Sequence, residues 1–284
     1  MSDISYITVS RNDDYDPDNI KKLALTINEN VKQLIDRGLN VETLLVDWCS
    51  DDPFYLNDEI CKIDVLVNHL VIDKSIPKKD GINPNYFLEY FAKNIGIRHS
   101  TGKYTLVENS DILNDEELSD SIVKMVKENI NGVYGRPTLR INACWPNCDE
   151  YTHYDKINEY NLGDCTPGDF IIATKNDFQK IGAYNEVSLV HKHEEHQIHM
   201  DVEILYQFNL NSMPVYYLQG YYRHLQHPHD KSYHKNTPAS ERNCGGYINR
   251  PTWGYSNAII EQIKPNVIKL TLSDTIGTLT DYDD

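Results

Sequence analysis

The first fifty residues of the chain change hydrophobic period twice, and few folds accommodate such a pattern. Ile4–Val9 and Val41–Val46 are short runs rich in apolar and β-branched residues. Between them, apolar residues recur at helical spacing up to Gly38: Ile20, Leu23, Ile27, Val31, Leu34 and Ile35. A strand, a helix and a strand in this order predict a βαβ unit, which builds parallel sheets through right-handed crossovers. We therefore expect an α/β fold with a mixed, mostly parallel central sheet flanked by helices.

The same alternation continues to about residue 130 and then fades. Further strands are predicted near Ile63–Val67, Tyr104–Val107, Thr138–Ala143, Phe170–Ala173, Val215–Leu218 and Val267–Leu270. Further helices are predicted from Asn83-Pro84 to Ile95, over Leu118–Val126, over Asp201–Phe208 and over Asn257–Ile263. A chain of 284 residues has the length of one large domain or two small ones. We expect a single domain over residues 1–284, with one half in residues 1–130 and a loop-rich half in residues 131–284.

The charge of the chain limits its partners. It has 27 Lys and Arg residues against 43 Asp and Glu residues, a formal net charge of −16. Because negative charge repels phosphate, we expect neither a nucleic-acid partner nor an anionic membrane surface. No run approaches the roughly 20 apolar residues of a membrane-spanning helix, and the first residues lack the features of a signal peptide. These features predict a cytoplasmic protein without a membrane span.

The six cysteines include no C-x-x-C pair and are too dilute for a disulfide framework. The nearest two are Cys144 and Cys148. Ordinary thiols are favoured there over a zinc site or a disulfide.

Three acidic loops follow predicted parallel strands, namely Ser10–Asp14, Asp47–Asp52 and Glu108–Asp111. Ligands of open α/β sheets bind beyond the carboxyl ends of the strands, so these loops are expected to border a binding crevice. An acidic crevice repels the phosphates of a nucleotide unless a divalent cation bridges them. Mg²⁺ and Mn²⁺ commonly join a carboxylate to substrate phosphates in this way.

Six segments, in chain order, carry a family resemblance: Tyr6–Asp14, Val41–Ser50, Asn94–Leu113, Gly168–Glu186, His199–Asp201 and Tyr222–His224. The first three resemble the nucleotide-sugar half of glycosyltransferases of the GT-A fold, closest to family 2, and the last three resemble the acceptor half. The resemblance implies that residues 1–130 bind the donor and that residues 131–284 bind the acceptor and carry catalysis. It also implies a metal-dependent transfer of a hexose from a nucleoside-diphosphate sugar, with a UDP-sugar favoured, to a hydroxyl group of a glycan, lipid or protein, with inversion.

The resemblance assigns the donor pocket to residues at the strand ends and on the helix that follows Asn83-Pro84. Asp47 would accept a hydrogen bond from the base, which suits uracil, although guanine offers similar donors. The expected donor-binding residues are Ser10, Arg11, Asp13, Asp47, Asn94, Arg98 and Asn109. The alternatives are a solvated turn acid for Asp47 and an ordinary exposed helix face for Asn94 and Arg98.

Asn109-Ser110-Asp111 stands where the family usually has Asp-x-Asp. The resemblance implies that Asp111 holds Mn²⁺ or Mg²⁺ on the diphosphate of the donor, while Asn109 offers a neutral oxygen at best. A histidine late in the chain would complete the metal shell, and His224 fits better than His227 or His229. The alternative for Asp111 is a helix N-cap. A separate zinc site is the less favoured use of His191, His193 and His196.

Transfer with inversion needs a carboxylate that takes the proton of the acceptor hydroxyl. The resemblance gives this role to Asp201, with Glu203 as the fallback; the alternative for Asp201 is the N-cap of the following helix. Tyr184 and Glu186 would contact acceptor hydroxyls, and Trp253 would stack on a sugar ring. The alternative for the aromatic residues is the core.

Two other functions compete with the transferase. A catalytically silent carbohydrate- or nucleotide-binding module would tolerate the missing acid at Asn109. A sugar nucleotidyltransferase would need a glycine-rich, basic loop after the first strand, whereas Ser10–Asp14 offers one arginine and two acids.

Overall fold

The computed structural model of the chain describes residues 2–13, 16–79, 83–84, 87–156, 169–186, 200–227, 249 and 251–272. The strands are β1 Ile4–Ser10, β2 Val41–Trp48, β3 Asn68–Ile72, β4 Tyr104–Asn109, β5 Ile112–Asn114, β6 Val133–Ala143, β7 Tyr151–Lys156, β8 Phe170–Thr174, β9 Val215–Leu225, β10 Ile259–Lys264 and β11 Val267–Thr271. The helices are α1 Asn19–Asp36, α2 Asp58–Cys61, α3 Ser75–Lys79, α4 Glu89–His99, α5 Glu116–Lys127, α6 Lys175–Ile181 and α7 Met200–Leu210.

One sheet contains strands from both parts of the chain, in the order β10-β11-β3-β2-β1-β4-β8-β6-β9-β5, with β7 paired to β6. Strands β11, β3, β2, β1 and β4 run parallel to one another. Strand β8 is antiparallel to β4, whereas β6 and β9 are parallel to each other. The expected α/β fold with a mixed, mostly parallel central sheet is therefore confirmed.

Helices cover both faces of the sheet. On one face, α1 and α5 enclose an apolar core that contains Leu23, Ile27 and Ile122. On the other face, α4 packs on β1 and β2 with Phe91 and Ile95 in the core. Because both faces of the sheet are covered, β1 is buried along its whole length and β2 from Thr43 onward, as is usual in parallel sheets.

Two predicted elements near the sheet edge are wrong. The strand predicted at Ile63–Val67 lies at Asn68–Ile72, where β2 and β11 pair with it on both sides. The helix predicted over Asn257–Ile263 is instead strand β10, which forms an antiparallel hairpin with β11. The turn between these strands contains Asn266 at a φ of 62°, a left-handed conformation that suits asparagine.

Other differences are smaller. Helix α4 begins at Glu89, five residues after Pro84. The sequence pattern missed α2, α3, α6, β5 and β7, which are all short. Among the described residues, no helix has the length and apolar composition that a membrane crossing requires. The cytoplasmic location and the division into halves stay predictions.

Candidate active site

The carboxyl ends of β1, β2 and β4 lie side by side, because the three strands are parallel and adjacent. The register pairs Ser10 with Asp47 and Val9 with Asn109. The three loops that the sequence marked therefore begin at one edge of the sheet. This is the edge at which open α/β sheets bind their ligands.

Asp111, His224 and His227 form a cluster just beyond this edge. The Oδ2 atom of Asp111 lies 3.5 Å from Nε2 of His224 and 3.3 Å from Nε2 of His227. One ligand atom from each of the three residues lies within 4.8 Å of the other two. The structure thus brings together the two residues expected to hold a metal and adds a second imidazole.

Antiparallel pairing of β5 with β9 produces this meeting. Asp111 precedes β5, in whose register Ile112 faces His224 on β9. The backbone N–H of Leu225 donates to the carbonyl oxygen of Asp111 at 2.8 Å. The alternative role of Asp111 as a helix cap is wrong, because Asp115 caps α5 and accepts from the N–H of Leu118 at 2.8 Å.

The chemistry of this cluster fits a divalent cation. The Oδ1 atom of Asp111 is buried and has no hydrogen-bond partner among the described residues. Burial lowers the pKa of His224, although the carboxylates of Asp111 and Asp169 act in the opposite direction. A neutral imidazole keeps a lone pair for a metal, and one carboxylate with two imidazoles is a donor set that first-row transition metals accept.

Asn109 belongs to a neighbouring network. Its Oδ1 accepts a hydrogen bond from Nζ of Lys93 at 2.8 Å, and its Nδ2 donates to Oδ1 of Asp169 at 3.4 Å. Arg140 and the hydroxyl of Tyr222 donate to Oδ2 of Asp169 at 2.7 and 2.9 Å. Burial alone would raise the pKa of Asp169, but Arg140 and the other partners hold it below its usual value. The amide oxygen at position 109 is therefore engaged by an ammonium group.

Three of the residues predicted to contact the nucleoside lie at or just beyond the ends of the first two strands. Asp47 is fully buried, and its Oδ2 accepts from the N–H of Phe54 at 2.9 Å. Burial raises the pKa of Asp47 to about 6. Arg11 lies 3.8 Å from Asp13, and Ser10 Oγ accepts from Asn19 at 3.1 Å. Donor binding by these residues stays a prediction.

Residues predicted for the donor and for the acceptor meet in a second group around α4. Asn94 Nδ2 donates to the carbonyl of Tyr184 and to Oε1 of Glu186, both at 2.9 Å. The guanidinium carbon of Arg98 lies 3.6 Å from the ring centroid of Trp253, and Arg98 Nε donates to the Trp253 carbonyl at 3.0 Å. Asn94 is fully buried, so the alternative of an exposed helix face is wrong for it. Ligand contacts of this group stay predictions.

The predicted base lies at the start of α7. Asp201 is the second residue of that helix, and its side chain lies outside the described part of the chain. Glu203 Oε2 accepts from Nδ2 of Asn185 at 3.0 Å, next to Glu186. The histidines considered for zinc, and His229, also lie outside the described residues: His191, His193, His196 and His229.

The sequence analysis ranked His227 below His224 as a metal ligand, and it missed the network around Asp169. The available signal for His227 was its spacing of three residues from His224 in a histidine-rich part of the sequence. Lys93 and Arg140 carried no comparable signal, because their pairing depends on contacts between distant parts of the chain. Asp169 lies in a segment of the family resemblance but was assigned no role.

The described architecture is a Rossmann-like fold of the GT-A type. No protein-family profile and no curated protein sequence matches the chain. S. aureus TarS 1–349 in complex with UDP-GlcNAc has a similar structure, with a TM-score of 0.50 and 13% identity over 81% of this chain and 60% of that chain. S. aureus TarS 1–349 in a second structure gives 0.48, with 16% identity over 79% of this chain and 60% of that chain. This chain therefore spans about three fifths of the length of those structures, and the similarity shows the fold alone.

Proposed function

We propose that the chain is a glycosyltransferase that moves a sugar from a nucleoside-diphosphate sugar to a hydroxyl group of a glycan, lipid or protein acceptor. The observation that carries the proposal is the cluster of Asp111, His224 and His227 beyond the carboxyl end of β4. The GT-A type of fold supports the same function. The acidic loops at this edge make a metal-bridged diphosphate the most suitable ligand.

Asp111, His224 and His227 would hold the cation. Two nitrogen ligands favour Mn²⁺ over Mg²⁺, which prefers oxygen ligands and retains its waters. When bound, the cation would stabilise the negative charge of the departing nucleoside diphosphate. Asp111 contributes the one carboxylate of the cluster. Asn109 would orient Lys93 and Asp169 through its two hydrogen bonds to them.

A UDP-sugar is the donor we favour. Asp47 lies at the end of β2 and is suited to accept a hydrogen bond from the N–H of uracil. Because its pKa is about 6, the carboxylate is ionised at neutral pH despite its burial. The complex of S. aureus TarS 1–349 makes UDP-GlcNAc the first donor to test.

Asp201 would take the proton of the acceptor hydroxyl, with Glu203 as the fallback, and the transfer would invert the anomeric carbon. The contact between Glu203 and Asn185 supports this assignment. It links the start of α7 to the segment that contains Tyr184 and Glu186. The base and the proposed acceptor residues would then act on the same hydroxyl group.

Release of free nucleoside diphosphate tests the proposal. The purified chain is incubated with UDP-GlcNAc and other sugar nucleotides, with Mn²⁺ or with a chelator. We expect release only with metal, loss of metal-dependent donor binding in Asp111→Ala, and binding without transfer in Asp201→Asn. Asp120→Ala is the matched control, because that carboxylate is exposed and pairs with Arg37. Full turnover by Asp201→Asn would contradict the assignment of Asp201 as the base. The absence of nucleoside diphosphate release from every donor would contradict the proposal that the chain is a glycosyltransferase.

A binding module without transferase activity is the second candidate. One observation favours it. Position 109 is an asparagine and supplies no second carboxylate, and its amide oxygen already accepts a hydrogen bond from Lys93. Such a module would bind UDP or a UDP-sugar in calorimetry and release no product from it.

A further inference from the structure

Helix α1 buries a row of polar side chains as well as its apolar face. Lys22, Thr26 and Asn30 are spaced four residues apart and therefore lie above one another on one side of the helix. They are 3%, 0% and 1% exposed. Buried polar groups are costly unless they are hydrogen-bonded, so the partners of this row indicate what it does.

Thr26 and Asn30 bind the chain on both sides of Asp111. Thr26 Oγ1 donates to the carbonyl of Ser110 at 2.8 Å. Asn30 Nδ2 donates to the carbonyl of Ile112 at 2.8 Å, and its Oδ1 accepts from the N–H of Asn114 at 2.9 Å. The turn that presents the carboxylate is thus fixed to α1 before and after the aspartate.

Lys22 binds the segment that carries the two histidines. Its Nζ donates to Oδ2 of Asp16 at 2.7 Å and to the carbonyl of Gln226, which lies between His224 and His227. The N–H of Gln226 in turn donates to the carbonyl of Ala143 at 2.9 Å. One buried ammonium therefore connects α1 to the histidine segment.

We infer that the polar row of α1 positions the aspartate and the two histidines relative to each other, with Lys22 acting on the histidine segment and Thr26 on the aspartate segment. A helix is a rigid spacer with a rise of about 1.5 Å per residue, so the two contact points keep a fixed separation. Lys22 and Thr26 are positioning residues that reach the cation only through Gln226 and Ser110. The inference rests on the proposed function, because it requires a cation at this cluster.

Thr26→Val is the first test. The variant keeps the shape of the side chain and removes the hydroxyl that binds Ser110. Thr43→Val is the matched control, because Thr43 is 1% exposed and its hydroxyl has no hydrogen-bond partner among the described residues. Free Mn²⁺ is measured by electron paramagnetic resonance in a titration of each protein, well below its melting temperature.

We expect Thr26→Val to weaken Mn²⁺ binding by about 10-fold or more, as is typical when an outer partner of a metal ligand is removed. Thr43→Val is expected to bind Mn²⁺ as the unmodified chain does, whatever its change in melting temperature. Equal Mn²⁺ affinity in Thr26→Val and the unmodified chain overturns the action of Thr26.

Lys22 is tested in the double variant Asp16→Asn/Lys22→Met, which removes both charges and so leaves no unpaired buried carboxylate. Lys21→Met is its control, because the Lys21 side chain is 63% exposed and pairs with Asp18. We expect the double variant to lose Mn²⁺ affinity by about 10-fold and the control to bind as the unmodified chain does. The single variant Lys22→Arg keeps a cation at this position and is expected to lose less affinity than the double variant.

The outcomes separate this inference from the proposed function. Binding of Mn²⁺ by the unmodified chain together with equal binding by Thr26→Val and by the double variant overturns the positioning role and leaves the proposed function standing. No binding of Mn²⁺ by the unmodified chain overturns both. Loss of affinity in the controls as large as in the test variants also overturns the positioning role.

Discussion

Asn109 lies between the buried ammonium of Lys93 and the partly buried carboxylate of Asp169, and these neighbours explain why a neutral amide suits its position. The amide accepts from Lys93 through its oxygen and donates to Asp169 through its nitrogen. A carboxylate offers no donor, so an aspartate at 109 would face Asp169 with like charge. The departure from the family pattern is therefore matched by the residues around it.

Asn109→Asp is expected to lower the free energy of unfolding by about 1–3 kcal/mol, because Asp169 loses a donor and gains a like charge. We also expect no gain in Mn²⁺ affinity. Urea unfolding and Mn²⁺ titration measure the two effects, with the exposed Asn209→Asp as control. Tighter Mn²⁺ binding at unchanged stability would show that position 109 is a metal ligand position after all.

Glu108 gives a prediction on pH. The side chain is fully buried, and burial raises its pKa from 4.5 to about 8, although Asn30 donates to it at 2.9 Å. Between these values the folded chain keeps a proton that the unfolded chain loses, so the free energy of unfolding falls as the pH rises. Below about pH 4.5 the group makes no such difference.

Glu108→Gln removes this titration while keeping the size of the side chain. From pH 5 to pH 8, we expect the stability of the variant to rise relative to the unmodified chain by more than about 1 kcal/mol. Urea unfolding at several pH values measures the difference, and the exposed Glu116→Gln serves as control. Parallel pH profiles for Glu108→Gln and the unmodified chain would contradict the raised pKa.

At the scale of elements, sequence periodicity correctly predicted the helices that bury one regular face and the strands that are buried on both faces. Strands β1, β2 and β4 and helices α1 and α5 were found because their apolar residues follow a strand or helix period. Strand β10 was not, because Ile259, Ile260 and Ile263 fit helical spacing and all six residues of the strand are exposed. With no buried face, the hairpin partner β11 decides the conformation, and the period carries no information about it.

The candidate site was predictable only in part. The resemblance pointed to Asp111 and His224 as metal ligands. Their meeting depends on the pairing of the three-residue strand β5 with β9, and such long-range pairing leaves no local period in the sequence. The bonds of Lys22 and Asp169 to distant segments were invisible for the same reason.

The distance between α4 and the sheet supports a prediction on Gly96. A Cβ atom there would lie 2.5 Å from Cγ2 of Ile7 and 3.2 Å from Cγ2 of Val46. Gly96→Ala is therefore expected to destabilise the chain by about 1–3 kcal/mol through overpacking. The measurement is the free energy of unfolding in urea.

A double-mutant cycle with Ile7→Ala identifies the cause. Because Ile7→Ala removes the closest atom, the double variant is expected to lose less stability than the two single changes added together. Additive losses would show that the contact between α4 and β1 is not what excludes a side chain at Gly96.

At the scale of the whole molecule, the net charge of −16 acts in opposite directions on the two proposed ligands, the divalent cation and the sugar nucleotide. It attracts a divalent cation and repels an anionic sugar nucleotide. Salt screens both effects, since the Debye length falls from about 30 Å at 0.01 M to about 8 Å at 0.15 M.

Raising the salt concentration from about 0.01 to about 0.15 M is therefore expected to weaken Mn²⁺ binding and to strengthen metal-free binding of UDP. Calorimetric titration measures both, with choline chloride in place of sodium chloride to exclude competition by Na⁺. A change of the same sign for both ligands would contradict an electrostatic origin in the net charge.

Strand β9 presents His224 to Asp111 by its backbone register alone, and this has a consequence for insertions. Side chains alternate between the two faces of a strand, so one extra residue in β9 before Arg223 would turn the imidazole of His224 to the opposite side of the sheet. The guanidinium group of Arg223 would take its place beside the carboxylate of Asp111. A single added codon would then replace the proposed metal ligand His224 with a permanent cation, whereas two added codons would return His224 to its original face but two residues further along the strand.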